Sequence, residues 1–317
     1  MQGSRLRETR VTALHSKWER ALRVLAGTDA GRRMSARFAA RLGADAWIAR
    51  RLDDASAEVT APTCGALATF AEARRRGIRT VLLHDLPLLR PMHADLDRAA
   101  LVHPECAFLR RYRAPASIVA RQEAEYVLAD TICVRGHFAR EQLMARGIPA
   151  TRLRELPSKE GPIPAAAARR GGPDRVLLLA GLATARHGTM ELRAALAAQP
   201  RWTAVVRAGE GLDPPDLLAH PRIRVATRAE LERLDGIDAV VAPSWCESHA
   251  PEVLRAARLG VPVVATQRAA GFVHLAAAGV EIAPGDAAGL AAALDMLQRA
   301  RGLRLTENRG QHGLRVR

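Results

Sequence analysis

Residues 237–266 read IDAVVAPSWCESHAPEVLRAARLGVPVVAT, and that order of apolar, polar and amphipathic stretches predicts a β-loop-α-β unit. An apolar run ends at Pro243-Ser244, and a loop carries Glu247 into the start of an amphipathic helix. Gly260 closes that helix before a second apolar run, Val261 to Ala265. The loop has a definite chemistry. Unsatisfied backbone N–H groups and the positive end of the helix dipole favour an anion, while a neighbouring carboxylate accepts hydrogen bonds from neutral hydroxyls. A ligand with phosphate at one end and a polyol at the other, such as a nucleotide sugar, meets both demands.

The same rhythm extends in both directions. Strands are predicted at about 175–180, 203–207, 222–226, 237–241, 261–265 and 280–282, with helices between most of them and a last helix over about 287–299. Upstream, apolar stretches at 57–61, 78–83 and 131–134 alternate with helix-like runs. One of these ends in Arg74-Arg75-Arg76 before Gly77, others cover 117–128 and 138–146, and residues 1–50 read as helical and basic. Short strands alternating with helices imply parallel sheets covered on both faces. The stretch 155–174 is dense in Pro, Gly and Ala and carries no periodicity. The predicted organisation is therefore an N-terminal domain over 1–156, a linker and hinge at 157–174, and a C-terminal domain over 175–317. A cleft would lie between the two, and closure over it would keep water from an activated ligand.

Composition removes several alternatives. The longest apolar stretch, 176–183, falls far short of the roughly 20 residues a membrane-spanning helix needs. The net charge of +15 comes almost entirely from arginine, since Lys17 and Lys159 are the only lysines. With abundant alanine, this points to genome composition as much as to a binding surface. A basic face would still suit an anionic membrane surface. Nucleic acid is less favoured, because aromatic residues make up only 3% and no zinc-finger or RNA-binding pattern is present. Cys64, Cys106, Cys133 and Cys246 stand far apart beside apolar stretches and read as reduced core thiols, with no metal site implied. The basic N-terminus lacks the apolar core of a secretory signal, so a cytoplasmic location is expected.

Four ordered segments carry a family resemblance: LLLAGLATARHGTMELRAAL at 178–196, VVRAGEG at 205–211, the block 238–266, and GVEIAPGDAAGLAAAL at 279–294. Together they resemble the donor-binding domain of the retaining glycosyltransferases of family 4. That resemblance implies an α/β GT-B-like fold of two Rossmann-like domains facing across a cleft, here with a reduced N-terminal domain. It also implies a nucleotide-diphosphate sugar as co-substrate, no further cofactor, and a glycan or lipid-linked acceptor, while the basic charge suits a peripheral place at the inner face of the plasma membrane.

In relatives the first glutamate of an E-x7-E signature holds hydroxyls of the donor sugar, which places that role on Glu247. The second glutamate is replaced by Arg255, which has only donors, and Glu252 one turn earlier is the candidate substitute. The family's phosphate-binding cations fall on Leu182, after Gly181, and on His187, before Gly188, so Arg186 becomes the candidate partner of a diphosphate. Backbone N–H groups around Gly181 and at Ser248, His249 and Ala250 complete the expected donor site. Farther upstream, VLLHDLP resembles a strand whose terminal histidine approaches the transferred sugar, which nominates His84. QEAEYVLADTICVRGHF resembles the family's Glu-rich helix and following strand, with Gly136 where serine is usual. The opening glycine-rich strand and the closing helices of the family are not evident, the latter in the tail RGLRLTENRGQHGLRVR. The expectation is thus a retaining, metal-independent hexosyltransferase of cell-surface polysaccharide synthesis. The rivals are an inactive nucleotide-sugar-binding homologue or partner subunit and, less favoured, a basic nucleic-acid binder.

Overall fold

A computed structural model describes residues 30–106, 109, 112–156, 174–208, 215–246, 251–270 and 279–311. Among these, 30–98 with 109 and 112–156 form one compact unit, and Ala99–Cys106 with 174–208, 215–246, 251–270 and 279–311 form another.

The first unit runs α1 (Ala30–Ala49), β1 (Glu58–Pro62), α2 (Leu67–Arg75), β2 (Arg79–Leu83), α3 (Leu89–Val102), α4 (Ala116–Leu128), β3 (Thr131–Val134), α5 (His137–Met144) and β4 (Leu153–Glu155). Only the last turn of α3 groups with the other unit. The four strands are parallel and lie in the order β1-β2-β3-β4. Val59, Ala61, Leu82, Ile132 and Val134 bury one face under Phe70 and Ala73 of α2 and Ala139 and Leu143 of α5. Three of these strands fall where apolar runs predict them. The fourth, β4, has no buried residue, so it leaves no hydrophobic signature. Helix α3 likewise escapes prediction from sequence, because Pro91 interrupts its pattern. In the structure Pro91 stands in the first turn, where no intrahelical N–H is needed.

The second unit runs β5 (Arg175–Ala183), α6 (Thr189–Ala198), β6 (Trp202–Ala208), β7 (Ile223–Val225), α7 (Arg228–Arg233), β8 (Ala239–Ala242), α8 (Pro251–Arg258), β9 (Val263–Ala265), α9 (Gln267–Ala270), β10 (Gly279–Glu281) and α10 (Ala287–Gln311). All six strands appear where the sequence places them. The last helix continues beyond the predicted 287–299, to Gln311. The strands are parallel in the order β10-β9-β8-β5-β6-β7. Counted from β5 this is 3-2-1-4-5-6, the order of a doubly wound dinucleotide-binding sheet.

Alternation along the strands explains why both faces are covered. Leu177, Leu179, Val206 and Val241 pack with Leu192 and Leu196 of α6 and Leu290 and Leu294 of α10. Their neighbours Leu178, Val205, Val240 and Val263 pack on the opposite face with Val253 and Ala256 of α8. Each such leucine contributes roughly 2–3 kcal/mol of apolar burial, so central strands in this register hold the sheet. The four cysteines are free thiols in buried positions. Among the described residues no helix is long and apolar enough to cross a membrane.

Candidate functional site

The chain leaves β5 outward to β6 and β7, then returns to β8 on the other side. In a doubly wound sheet the carboxyl ends of the two strands flanking that reversal border a crevice, because their loops diverge to opposite faces. Here those loops are 184–188 after β5 and 243–246 after β8. They are joined directly: the Trp245 N–H donates to the Arg186 carbonyl at 3.0 Å. Gly188, at φ 85°, presses on Pro243, and a Cβ there would lie 2.6 Å from the proline Cγ and 2.8 Å from its carbonyl carbon.

The β5 loop is organised by Thr184. Its carbonyl accepts the Thr189 hydroxyl at 2.9 Å and the His187 N–H at 3.0 Å, and its hydroxyl meets His187 Nδ1 at 2.7 Å. His187 is buried beneath Gly181. Burial pushes its imidazole well below the ordinary histidine range, and the adjacent Arg186 acts in the same direction. His187 is therefore neutral at pH 7 and supplies no cation where the resemblance calls for one. Its NMR signals are expected to stay at their neutral positions as pH is lowered through 6.5, where an exposed histidine titrates. Unfolded chain takes up a proton there that folded chain refuses, so this group makes stability fall as pH drops below about 6.5. A histidine at this position titrating near 6.5 would contradict the buried placement.

Arg186, half-buried, donates from Nη1 to Cys246 Sγ at 3.6 Å, which ties the two loops a second time. Glu252 faces inward. The β5–β6 register jumps from Leu179 opposite Val206 to Leu182 opposite Arg207, which leaves Ala180 and Gly181 as a bulge. The buried Glu252 carboxylate accepts the Gly181 N–H at 3.3 Å and lies 3.7 Å from Arg207 Nη1. It thus supports the bulge from the first turn of α8. Arg255 donates to the Leu231 carbonyl of α7, so this guanidinium anchors α8 to its neighbour. Leu182 is half-buried and neutral, as its chemistry requires. Glu247, Ser248, His249 and Ala250 lie outside the described residues, as do 157–173, which hold nearly all of the expected linker.

One cluster here has no sequence signal. Glu191, in the first turn of α6, is fully buried. Its Oε1 accepts the Trp245 indole N–H at 2.8 Å and meets His103 Nε2 at 2.6 Å. His103 Nδ1 faces Glu105 at 3.4 Å, and Trp245 packs edge-on to the imidazole. The partners stand 54 and 88 residues from Glu191 in the chain, beyond any local pattern. A carboxylate in this turn offsets the dipole at the head of α6.

In the first unit His84 follows β2 and is buried, with Nδ1 2.8 Å from the Tyr126 hydroxyl and its N–H on the Cys133 carbonyl at 2.9 Å. Asp85 receives Arg41 bidentately at 2.7 and 3.1 Å, and Arg41 also donates to the Thr63 carbonyl, so one buried guanidinium ties the ends of β1 and β2. Arg121, Gln122, Glu125 and Tyr126 share one face of α4. Gln122 caps the 87–89 turn, Tyr126 meets His84, and Arg121 pairs with Asp45 of α1. In the sequence this helix is marked only by its glutamates. Gly136 is at φ 107° and ψ 158°, a conformation almost confined to glycine.

No family model and no curated protein sequence matches the chain. Solved structures do. Sucrose-phosphate synthase from Thermosynechococcus elongatus is 15% identical with a TM-score of 0.55, over 82% of this chain and 69% of that one. HepE from Anabaena, in complex with UDP and glucose, is 15% identical with a TM-score of 0.54, over 80% and 71%. The lipopolysaccharide outer core galactosyltransferase WaaB, in its apo form, is 15% identical with a TM-score of 0.52, over 84% and 72%. HepE has also been solved with UDP-glucose. With these neighbours and two parallel-sheet units, the chain has a GT-B-like fold of two Rossmann-like domains.

Proposed function

We propose that the protein is a retaining glycosyltransferase that moves a hexose or related sugar from a nucleotide-diphosphate donor to a glycan or lipid-linked acceptor of the cell surface. The observation that carries this reading is the pair of loops joined at the reversal point of the second sheet, the position where doubly wound sheets bind nucleotides. Similarity to HepE, which was solved with UDP-glucose, supports the donor class.

In this reading Glu247 orients sugar hydroxyls, while Arg186 and the backbone N–H groups of 248–250 receive the diphosphate. Charge gathers on the leaving diphosphate as the glycosidic bond breaks, and fixed N–H donors stabilise it without reorganising. His84, held by Tyr126, acts on the acceptor side. The reaction calls on no protein nucleophile and no metal ion. A cytoplasmic location against the anionic inner leaflet belongs to this reading, and the net charge of +15 supports it.

A second reading, a donor-binding homologue or partner subunit without turnover, is favoured by specific observations. His187 is neutral, Arg255 is tied to Leu231, and Glu191 puts a carboxylate at the head of α6. Calorimetry with UDP, GDP and ADP sugars, followed by an assay for released free sugar, separates the readings. Binding with slow hydrolysis in the absence of acceptor is expected. Binding with no turnover under any acceptor condition selects the second reading. Affinity only for RNA or DNA, falling steeply with salt, would remove both.

A further inference from the structure

Of the six successive backbone positions 64–69 at the head of α2, five direct their N–H groups at internal carboxylates, and the sixth, Gly65, bonds the Pro62 carbonyl. Glu125 Oε2 accepts from Cys64 at 2.5 Å, and Glu125 Oε1 accepts from Ala66 at 2.8 Å and Leu67 at 3.1 Å. Asp45 takes the next two, from Ala68 and Thr69, each at 2.8 Å. The turn this cradle shapes follows β1, directly beside the end of β2, since the Thr63 N–H and hydroxyl both donate to the Leu83 carbonyl. His84 is the next residue, and Tyr126, adjacent to Glu125 in α4, holds it. Cys64 is at φ 64°, a left-handed conformation that costs a non-glycine residue and persists only where its surroundings enforce it.

We infer that Glu125 is a protonation switch for the 63–67 turn: ionised, it holds the turn and the strained Cys64 closed, and protonated, it releases them beside His84. The coupling rests on geometry. Both carboxylate oxygens face N–H donors, so a proton added to either one takes up acceptor capacity and weakens the charge-assisted hydrogen bonds that hold the turn. Opposed influences set where the switch lies. Burial disfavours the ionised carboxylate and moves its pKa up to about 7, against the pull of the Ala66 and Cys64 N–H groups and of Arg121, while Asp45 adds to the rise. Arg121 Nε lies 3.4 Å from Glu125 Oε1. Arg41 and Asp85 are the charged groups acting on Cys64 from the other side, and burial pushes that thiol up to about 12, so it stays protonated throughout. The inference does not depend on the transferase reading, because it concerns a turn within the first unit.

The test is amide exchange by NMR on the full chain, expressed as protection factors so that intrinsic pH dependence cancels. Between pH 8 and pH 6, protection at Cys64, Ala66 and Leu67 is expected to fall by about tenfold while amides of β2 hold theirs. Glu125→Gln keeps one acceptor oxygen but presents donors at the other, so Cys64 should be poorly protected at every pH. A wild-type profile flat across this range overturns the inference, and so does a Gln variant with an unchanged pH profile. Should that variant not fold, the wild-type profile decides alone.

Discussion

Replacing Gly188 with alanine is expected to destabilise the second unit by about 3–5 kcal/mol, read as a fall in its urea midpoint at unchanged slope. Two costs combine. The left-handed backbone at φ 85° carries roughly 1–2 kcal/mol for any residue with a Cβ. The added carbon also meets Pro243 at 2.6 and 2.8 Å, and nearer still at its carbonyl oxygen, which is backbone that cannot rotate away. The loops must part, and the Trp245 to Arg186 hydrogen bond is lost with them. Gly77 is the control, since it shares the left-handed conformation at φ 71° but has nothing within 4 Å of the place a Cβ would take. Gly77→Ala should cost only the backbone share. Equal costs at the two positions would mean that the two loops do not touch.

The second large effect concerns ligand discrimination. Glu247→Ala should weaken binding of a nucleotide sugar by about 10- to 100-fold and leave the bare nucleotide diphosphate nearly unaffected, as loss of a charged acceptor from sugar hydroxyls implies. Arg186→Ala should act on both ligands alike, because the guanidinium addresses their shared diphosphate. Titrations of each variant with UDP-glucose and UDP check this. Equal losses for both ligands in the Glu247 variant would remove that residue from the sugar, and an unchanged UDP affinity in the Arg186 variant would return Arg186 to a structural role.

The sheets were legible because their strands are buried on two faces, which leaves runs such as Val176 to Leu179 and Val263 to Ala265 standing out from amphipathic neighbours. β4 was not, since of its three residues only Leu153 is partly buried, and Pro91 concealed the start of α3. In the two loops, Gly181 and Gly188 take left-handed φ values, and Arg186 reaches Cys246 of the facing loop. Motif position could not tell which way a side chain points. Glu252 turned inward to Gly181, Arg255 to Leu231, and His187 into the protein, each drawn by a polar group supplied from elsewhere in the fold. Glu191 with His103 and Trp245, and Glu125 with the α2 head, assemble across 54 to 88 residues. Spacing along the chain carries no record of such meetings. They require the parallel topology that brings strand ends to one edge.

The central claim, that the crevice at the ends of β5 and β8 receives a nucleotide sugar, is tested most directly by hydrogen–deuterium exchange with and without saturating UDP-glucose. Slower exchange is predicted in peptides covering 181–189 and 243–252, with none at the separate groove of about 410 Å³ lined by Gln199, Arg201, Asp295 and Arg299. Protection confined to that groove, or no protection anywhere at millimolar ligand, would contradict it.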